Sequence, residues 1–214
     1  MNQIKSQKID SILFDLDGTL WDASATCTKA WNETLLGINN DYPGIDEAKV
    51  RSFSGQTIDK IFREHFHFIP AKDHPDLIQK YKEAEDRLAG IRGGVLYPSV
   101  KEVLTKLQKE FKLFIISNCL DGYIQHFIRL NHFESLFSDF ECSGRTGLPK
   151  SENIRLIVER NGLIYPVYVG DTQWDHEAAA MNKMKFIYAA YGFGKAENAD
   201  WQIDEFASLS KLLS

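Results

Sequence analysis

Asp15 and Asp17 stand two residues apart in Phe14-Asp15-Leu16-Asp17-Gly18-Thr19-Leu20, directly after the apolar run Ile12-Leu13-Phe14. Two carboxylates this close repel unless a cation or a shared proton relieves them. With only oxygen donors on offer, the matching cation is a hard one, magnesium before zinc. Such an ion would also let a carboxylate approach a phosphate dianion, with Asp15 as nucleophile and Asp17 as its proton partner. Plainer readings stand beside this one. Asp-x-Asp-Gly is a common polar turn. A calcium loop fits worse, because its twelfth position calls for Glu and, counted from Asp15, is Thr26.

Three further groups sit in comparable places. Ser117 and Asn118 close the run Lys112–Ile116 and could hold phosphate oxygens, or could simply cap a helix or make a turn. Lys150 precedes a helical stretch, where a cation and backbone amides together suit an anion; a solvated lysine is the ordinary alternative. Gly144 to Ser151 is also one residue from a phosphate-binding P-loop, but Pro149 replaces the last glycine and removes a donor N–H. Asp171 follows the run Tyr165–Gly170, and Asp175 lies four residues on. Thr172 and Asp175 have the spacing of a capping box, whereas Asp171 is harder to explain away. If the ends converge, Asp15 and Asp171 form an all-oxygen magnesium site, with Asp175 as a direct or supporting partner.

The elements that must position these groups read as alternating strands and helices. Continuous apolar runs at Ile12–Phe14, Lys112–Ile116, Tyr165–Val169 and Lys185–Ala189 predict strands buried on both faces, with a weaker strand at Phe137–Cys142. Helices are expected over about 100–107 (with Ser99 and Glu102 as a capping box), 121–130, 151–160 and 175–183. This alternation predicts an α/β fold with a doubly wound parallel sheet, whose ligands bind beyond the carboxyl ends of the strands. Between Trp21 and Ile91 the pattern is helical only, over about 23–36, 46–53, 57–66 and 73–89. The first of these ends at Gly37, and residues 39–44 are turn-rich. The expected division is a Rossmann-like core of residues 1–20 and 92–214, with an inserted helical cap of residues 21–91.

Composition limits the function classes. At 214 residues, one core with a smaller insert is the natural size, and a net charge of −5 argues against nonspecific nucleic-acid binding. No apolar run approaches the roughly 20 residues that span a bilayer, and Met1–Lys8 lacks the apolar centre of a signal peptide. Cys27, Cys119 and Cys142 are odd in number and widely spaced. They fit free thiols in a reducing cytoplasm better than disulfides or a zinc site.

Taken in order, a strand ending Asp-x-Asp-Gly-Thr, a strand ending Ser-Asn, a Lys before a helix and a strand ending Gly-Asp-x-x-x-Asp resemble the four motifs of the haloacid dehalogenase-like superfamily of phosphohydrolases. The resemblance covers the whole chain. It implies a Rossmann-like core, magnesium, and phosphoryl transfer through an aspartyl-phosphate. Asp15 would be the nucleophile, and Asp17 the general acid and base, with its backbone carbonyl on the metal. Ser117 and Lys150 would bind the phosphoryl group, with Asn118 nearby, and Asp171 with Asp175 would anchor the metal. The insert resembles the cap of the phosphoglycolate phosphatase-like branch.

Retention of Asp17 favours phosphomonoester hydrolysis over C–halogen cleavage, since a leaving alcohol needs a proton. The phosphonate hydrolases of the superfamily use a cap lysine; Lys29, Lys49 and Lys60 are available, but each fits a solvated helix. Ser54, Gly55 and Gln56 match the position of the cap's specificity loop, and Trp21 is either hinge packing or a substrate contact. His65 and His67 are expected on different sides of a helix, and His176 in solvent. The expected function is magnesium-dependent hydrolysis of a small phosphorylated metabolite by a monomer or homodimer with no nucleic-acid or membrane partner. The alternatives are a phosphosugar mutase of the β-phosphoglucomutase type and a noncatalytic phosphate-binding protein.

Overall fold

The computed structural model describes residues 9–38 and 42–213. Residues 39–41, part of the expected turn at 39–44, lie outside the described residues. In chain order the elements are β1 (Ser11–Phe14), β2 (Trp21–Asp22), α1 (Ser24–Leu36), α2 (Glu47–Arg51), α3 (Ile58–His65), α4 (His74–Ala89) and β3 (Val95–Leu96). There follow α5 (Val100–Leu107), β4 (Lys112–Ser117), α6 (Tyr123–Asn131), β5 (Asp139–Cys142), α7 (Ser143–Thr146) and α8 (Lys150–Asn161). The chain closes with β6 (Pro166–Gly170), α9 (Gln173–Met181), β7 (Lys185–Ala189), β8 (Trp201–Ile203) and α10 (Ser208–Leu213).

Six strands form one sheet in the order β5-β4-β1-β6-β7-β8, and every pairing in it is parallel. Helices cover both faces, as a parallel sheet requires. Ile12, Phe14, Val167 and Val169 pack toward α5, α6 and α10, on Val103, Leu104, Phe127 and Leu209. Leu13, Phe114, Tyr168 and Phe186 pack on Ile154 and Ile157 of α8 and on Ala178 and Ala179 of α9. This two-sided burial is why the strands read as unbroken apolar runs. β1 lies between β4 and β6, so the carboxyl end of the first strand faces the switch point of the sheet.

Helices α1 to α4 are grouped around a separate apolar cluster. Trp31 sits at its centre, with ring centroids 4.3 Å from Tyr81, 5.1 Å from Phe66 and 5.3 Å from Phe62. The chain leaves and rejoins the larger sheet through an antiparallel ribbon in which Trp21 pairs with Leu96 and Asp22 with Val95. No strand is expected from sequence between Trp21 and Ile91, yet β2 starts at Trp21; two residues are too few to carry a period-2 pattern. No helix among the described residues is long and apolar enough to cross a membrane.

Several local expectations change. Ser99 lies at φ 64° and makes no side-chain cap, so the expected capping box with Glu102 does not form. Gly37 ends α1 in a right-handed conformation rather than as a left-handed cap. His67 lies beyond the end of α3, and His176 packs on Phe186 at 5.3 Å rather than standing free in solvent. The capping box of Thr172 and Asp175 forms in full.

Candidate active site

Each site residue is placed by the end of a buried element. Asp15 is the first residue beyond β1, and its N–H donates to Val169 O at 2.9 Å, which extends the sheet register into the site. Lys150 is the first residue of α8 rather than the residue before it, with Pro149 at the cap, so the P-loop alternative has no loop in which to form. The Lys150 ammonium reaches across to Asp15 Oδ1 at 2.7 Å and Asp175 Oδ1 at 2.5 Å. Asp175 Oδ2 accepts from Thr172 N at 3.0 Å and Thr172 Oγ1 at 2.7 Å. Both Asp175 oxygens are thereby engaged within the protein.

Asp171 is differently placed. Its Oδ2 accepts from the backbone N–H groups of Phe193 and Gly194 at 2.8 and 3.2 Å, whereas its buried Oδ1 has no partner among the described residues. Gly18 lies against it at φ 83°, and a Cβ at Gly18 would overlap the Asp171 carboxylate. Gly18 therefore serves twice, allowing the turn after Asp17 and letting that backbone approach the acid.

Asp15, Asp171 and Asp175 each offer a carboxylate oxygen within 4.8 Å of the others, and all three are buried. One lysine cannot neutralise three carboxylates. Burial and the neighbouring Asp175 push the Asp15 carboxyl well above the usual carboxylate range, against the pull of Lys150. Burial and Asp175 push Asp171 up to about 7. Burial works against the Lys150 ammonium, but Asp15 and Asp175 offset it and hold the group well above the usual lysine range. The residues fit a hard divalent cation: all-oxygen donors, surplus negative charge, and the unpartnered Asp171 Oδ1.

Asp17 faces the same cleft from the other side. Its Oδ1 accepts from Tyr123 OH at 2.8 Å and from Trp21 Nε1 at 3.0 Å. Burial pushes its carboxyl up to about 6, against the lowering effect of these two bonds. Trp21 is fully buried, edge-on to Phe127 at 5.0 Å, and does not line the cleft. Of the two readings of Trp21, the structure thus shows packing rather than a cavity wall, because β2 turns the ring inward.

The cleft is about 760 Å³ counting its open mouth, and is lined by Asp15, Asp17, Ser117, Asn118 and Lys150 from the core. Ser54, Gly55 and Gln56 line it from the helical side. The Asn118 side chain is occupied, donating to Gly55 O at 2.8 Å and accepting from Ser143 Oγ at 2.6 Å. It ties the 54–56 loop to the core rather than facing a ligand. Gly55 lies at φ 76°, and a Cβ there would crowd Thr172 and Trp174. Gln56 is held by Ser52 O and His65. Among the lysines weighed from sequence, Lys60 stacks over Trp174 and Lys49 meets His65.

Sequence reasoning missed Tyr123, the backbone clamp of Phe193 and Gly194, and Glu85. Glu85 alone carried a signal. It shares the buried stripe of α4 with Leu77, Tyr81 and Ala84, yet it sits in a run of charges. Nothing in the local sequence sets Tyr123 apart.

A doubly wound sheet with three acids, one lysine and a cleft at its switch point has the layout of an α/β enzyme. The chain belongs to the haloacid dehalogenase-like hydrolase family, whose model matches residues 12–189. It is 27% identical to a 5'-nucleotidase of Pseudomonas aeruginosa over 87% of this chain and 85% of that protein. It is 26% identical to a phosphoglycolate phosphatase of Aliivibrio fischeri, over 97% of this chain and 98% of that protein. In fold it matches a predicted phosphatase from Clostridium acetobutylicum with a TM-score of 0.85 at 22% identity, covering 96% of this chain and 98% of that one.

Proposed function

We propose that this enzyme is a magnesium-dependent phosphomonoester hydrolase acting on a small phosphorylated metabolite through an aspartyl-phosphate on Asp15. The observation that carries the reading is the Lys150 ammonium, buried between Asp15 and Asp175 at the floor of a cleft that Asp17 also faces. Magnesium, held by Asp15 and Asp171 with Asp175 supporting, would screen the carboxylates from an approaching phosphate and polarise it.

The chain's own residues then act in two halves. The Asp15 carboxylate attacks phosphorus, the bond to the ester oxygen breaks, and Asp17 donates its proton to that oxygen. Trp21 and Tyr123 occupy Asp17 Oδ1, so the proton resides on Oδ2. In the second half Asp17 takes a proton from water, water oxygen bonds to phosphorus, and the bond from phosphorus to Asp15 breaks to release phosphate. Lys150 and Ser117, with the backbone N–H of Asn118, hold the phosphoryl oxygens. Residues 21–91 act as a cap, hinged at the β2–β3 ribbon, that closes over the leaving group. The unpaired thiols of Cys27, Cys119 and Cys142 accord with a cytoplasmic setting.

Purified protein assayed on p-nitrophenyl phosphate tests this. Turnover should require magnesium, stop in EDTA and disappear in Asp15→Asn. Equal turnover by Asp15→Asn would remove the nucleophile from the reading.

A further inference from the structure

Three buried oxygens of this cleft have no work in the phosphoryl chemistry. Ser24 Oγ, Ser54 Oγ and Glu85 Oε2 are enclosed without a hydrogen-bond partner among the described residues, and all three residues line the cleft. Buried polar atoms in folded proteins are nearly always paired, so three orphans around one cavity are a feature that calls for an explanation.

Glu85 says most about the ligand. It is 6% exposed, and its Oε1 accepts from Tyr81 OH at 2.8 Å, which leaves Oε2 as the oxygen available to the cleft. No Lys, Arg or His forms an ion pair with it among the described residues. Trp31, Phe53 and Tyr81 give the wall beside it an aromatic surface. Burying a carboxyl against aromatic rings without a counter-charge is costly, and the cost is recovered only when a ligand completes the hydrogen bonding.

The cations that line the cleft lie away from Glu85, at the phosphoryl end and at the rim. Lys150 is held by Asp15 and Asp175, and Arg51, at the rim with its side chain 42% exposed, pairs with Asp22 at 2.8 Å. A leaving group bearing a carboxylate would meet Glu85 and Asp17, and besides Lys150 the one cation among the described residues lining the cleft is Arg51, at the rim and paired with Asp22. Burial pushes the Glu85 carboxyl up to about 8. A hydroxyl, which both donates and accepts, completes either ionisation state.

Resting on the phosphomonoesterase reading, we propose that Glu85 Oε2, aided by Ser24 and Ser54, receives a hydroxyl of the leaving group. The enzyme thereby prefers phosphate esters of hydroxylated ring alcohols, sugars or nucleosides, to phosphate esters of hydroxy acids.

The test is calorimetric binding in magnesium at pH 9, above the value of about 8 to which burial pushes Glu85 and so with that carboxylate ionised, to the Asp15→Asn protein, which holds an ester without consuming it. The probes are ribose 5-phosphate, adenosine 5'-monophosphate and phosphoglycolate. At least one of the first two should bind about tenfold tighter than phosphoglycolate, the value of one good hydrogen bond to a charged partner. Which of the two leads identifies sugar or nucleoside as the source of the hydroxyls. Adding Glu85→Gln, which is isosteric and keeps an acceptor for Tyr81, should shrink the preference about tenfold, since its amide donates to a carboxylate. Tighter binding of phosphoglycolate to the Glu85 protein, no binding of either hydroxylated ester, or a preference unmoved by Glu85→Gln would overturn the proposal. Turnover of p-nitrophenyl phosphate by the wild type reports separately on the hydrolase reading, so either can fail alone.

Discussion

Tyr123 OH donates to Asp17 Oδ1 at 2.8 Å across 106 positions of sequence, joining the start of α6 to the turn after β1. Together with Trp21 it occupies Asp17 Oδ1, which in the proposed reaction would leave Oδ2 to face the ester. Tyr123→Phe should lower kcat about tenfold on an alkyl phosphate, with KM little changed, as expected for one hydrogen bond that positions the acid. The loss should be much smaller on p-nitrophenyl phosphate, whose leaving group departs without a proton. Equal losses on both substrates in steady-state kinetics would argue for a structural role alone.

Lys150 is the positive centre of the site. Lys150→Met should abolish turnover and, in EDTA, destabilise the fold by about 3–5 kcal/mol, because buried Asp15 and Asp175 lose their partner. Urea unfolding with and without magnesium should show a smaller deficit when the ion is present. A deficit that does not respond to magnesium would argue against a shared site.

The orphaned Asp171 Oδ1 implies metal-linked stability. Magnesium at 100 times its Kd should stabilise the wild type by about 2.7 kcal/mol, read as a rise in Tm over EDTA. Asp171→Asn should lose most of that rise. An unchanged rise in the variant would place the ion elsewhere.

Glu85, on the helical side of the cleft, gives stability a pH dependence of its own. Its carboxyl is pushed from 4.5 to about 8, by burial first and then by Asp17 and Asp86, while the Tyr81 hydrogen bond and Lys82 pull the other way. A raised acid binds its proton more tightly in the folded chain. Its contribution is therefore full below about 4.5 and is lost as pH rises toward about 8. Over that window the wild type should lose a few kcal/mol relative to Glu85→Gln, at about 1.4 kcal/mol for each pH unit. Parallel urea curves for the two proteins at pH 5 and pH 8.5 would contradict this.

The architecture was legible in the chain because buried parallel strands must be apolar on both faces. Ile12–Phe14, Phe114–Ile116, Val167–Val169 and Phe186–Ile187 announce themselves as unbroken runs, and each polar residue that ends a run marks a strand end. Helices that alternate with such runs leave little choice but a parallel sheet covered on both sides. The order of Asp15, Ser117, Lys150 and Asp171 along the chain points by itself to one family.

What the sequence could not settle depends on contacts between distant residues. Tyr123 reaches Asp17 because α6 packs beside β2, and Asp171 is clamped by Phe193 and Gly194 because the loop after β7 folds back over β6. Asn118 looks like a phosphate ligand in sequence but ties down Gly55 in the fold. Glu85 sits in a run of charges, yet α4 turns it onto the buried face that it shares with Leu77 and Tyr81, in the cluster around Trp31. Local sequence sets which groups are present and which elements carry them. Tertiary packing alone decides which side-chain atoms are already paired, and so which remain for a substrate.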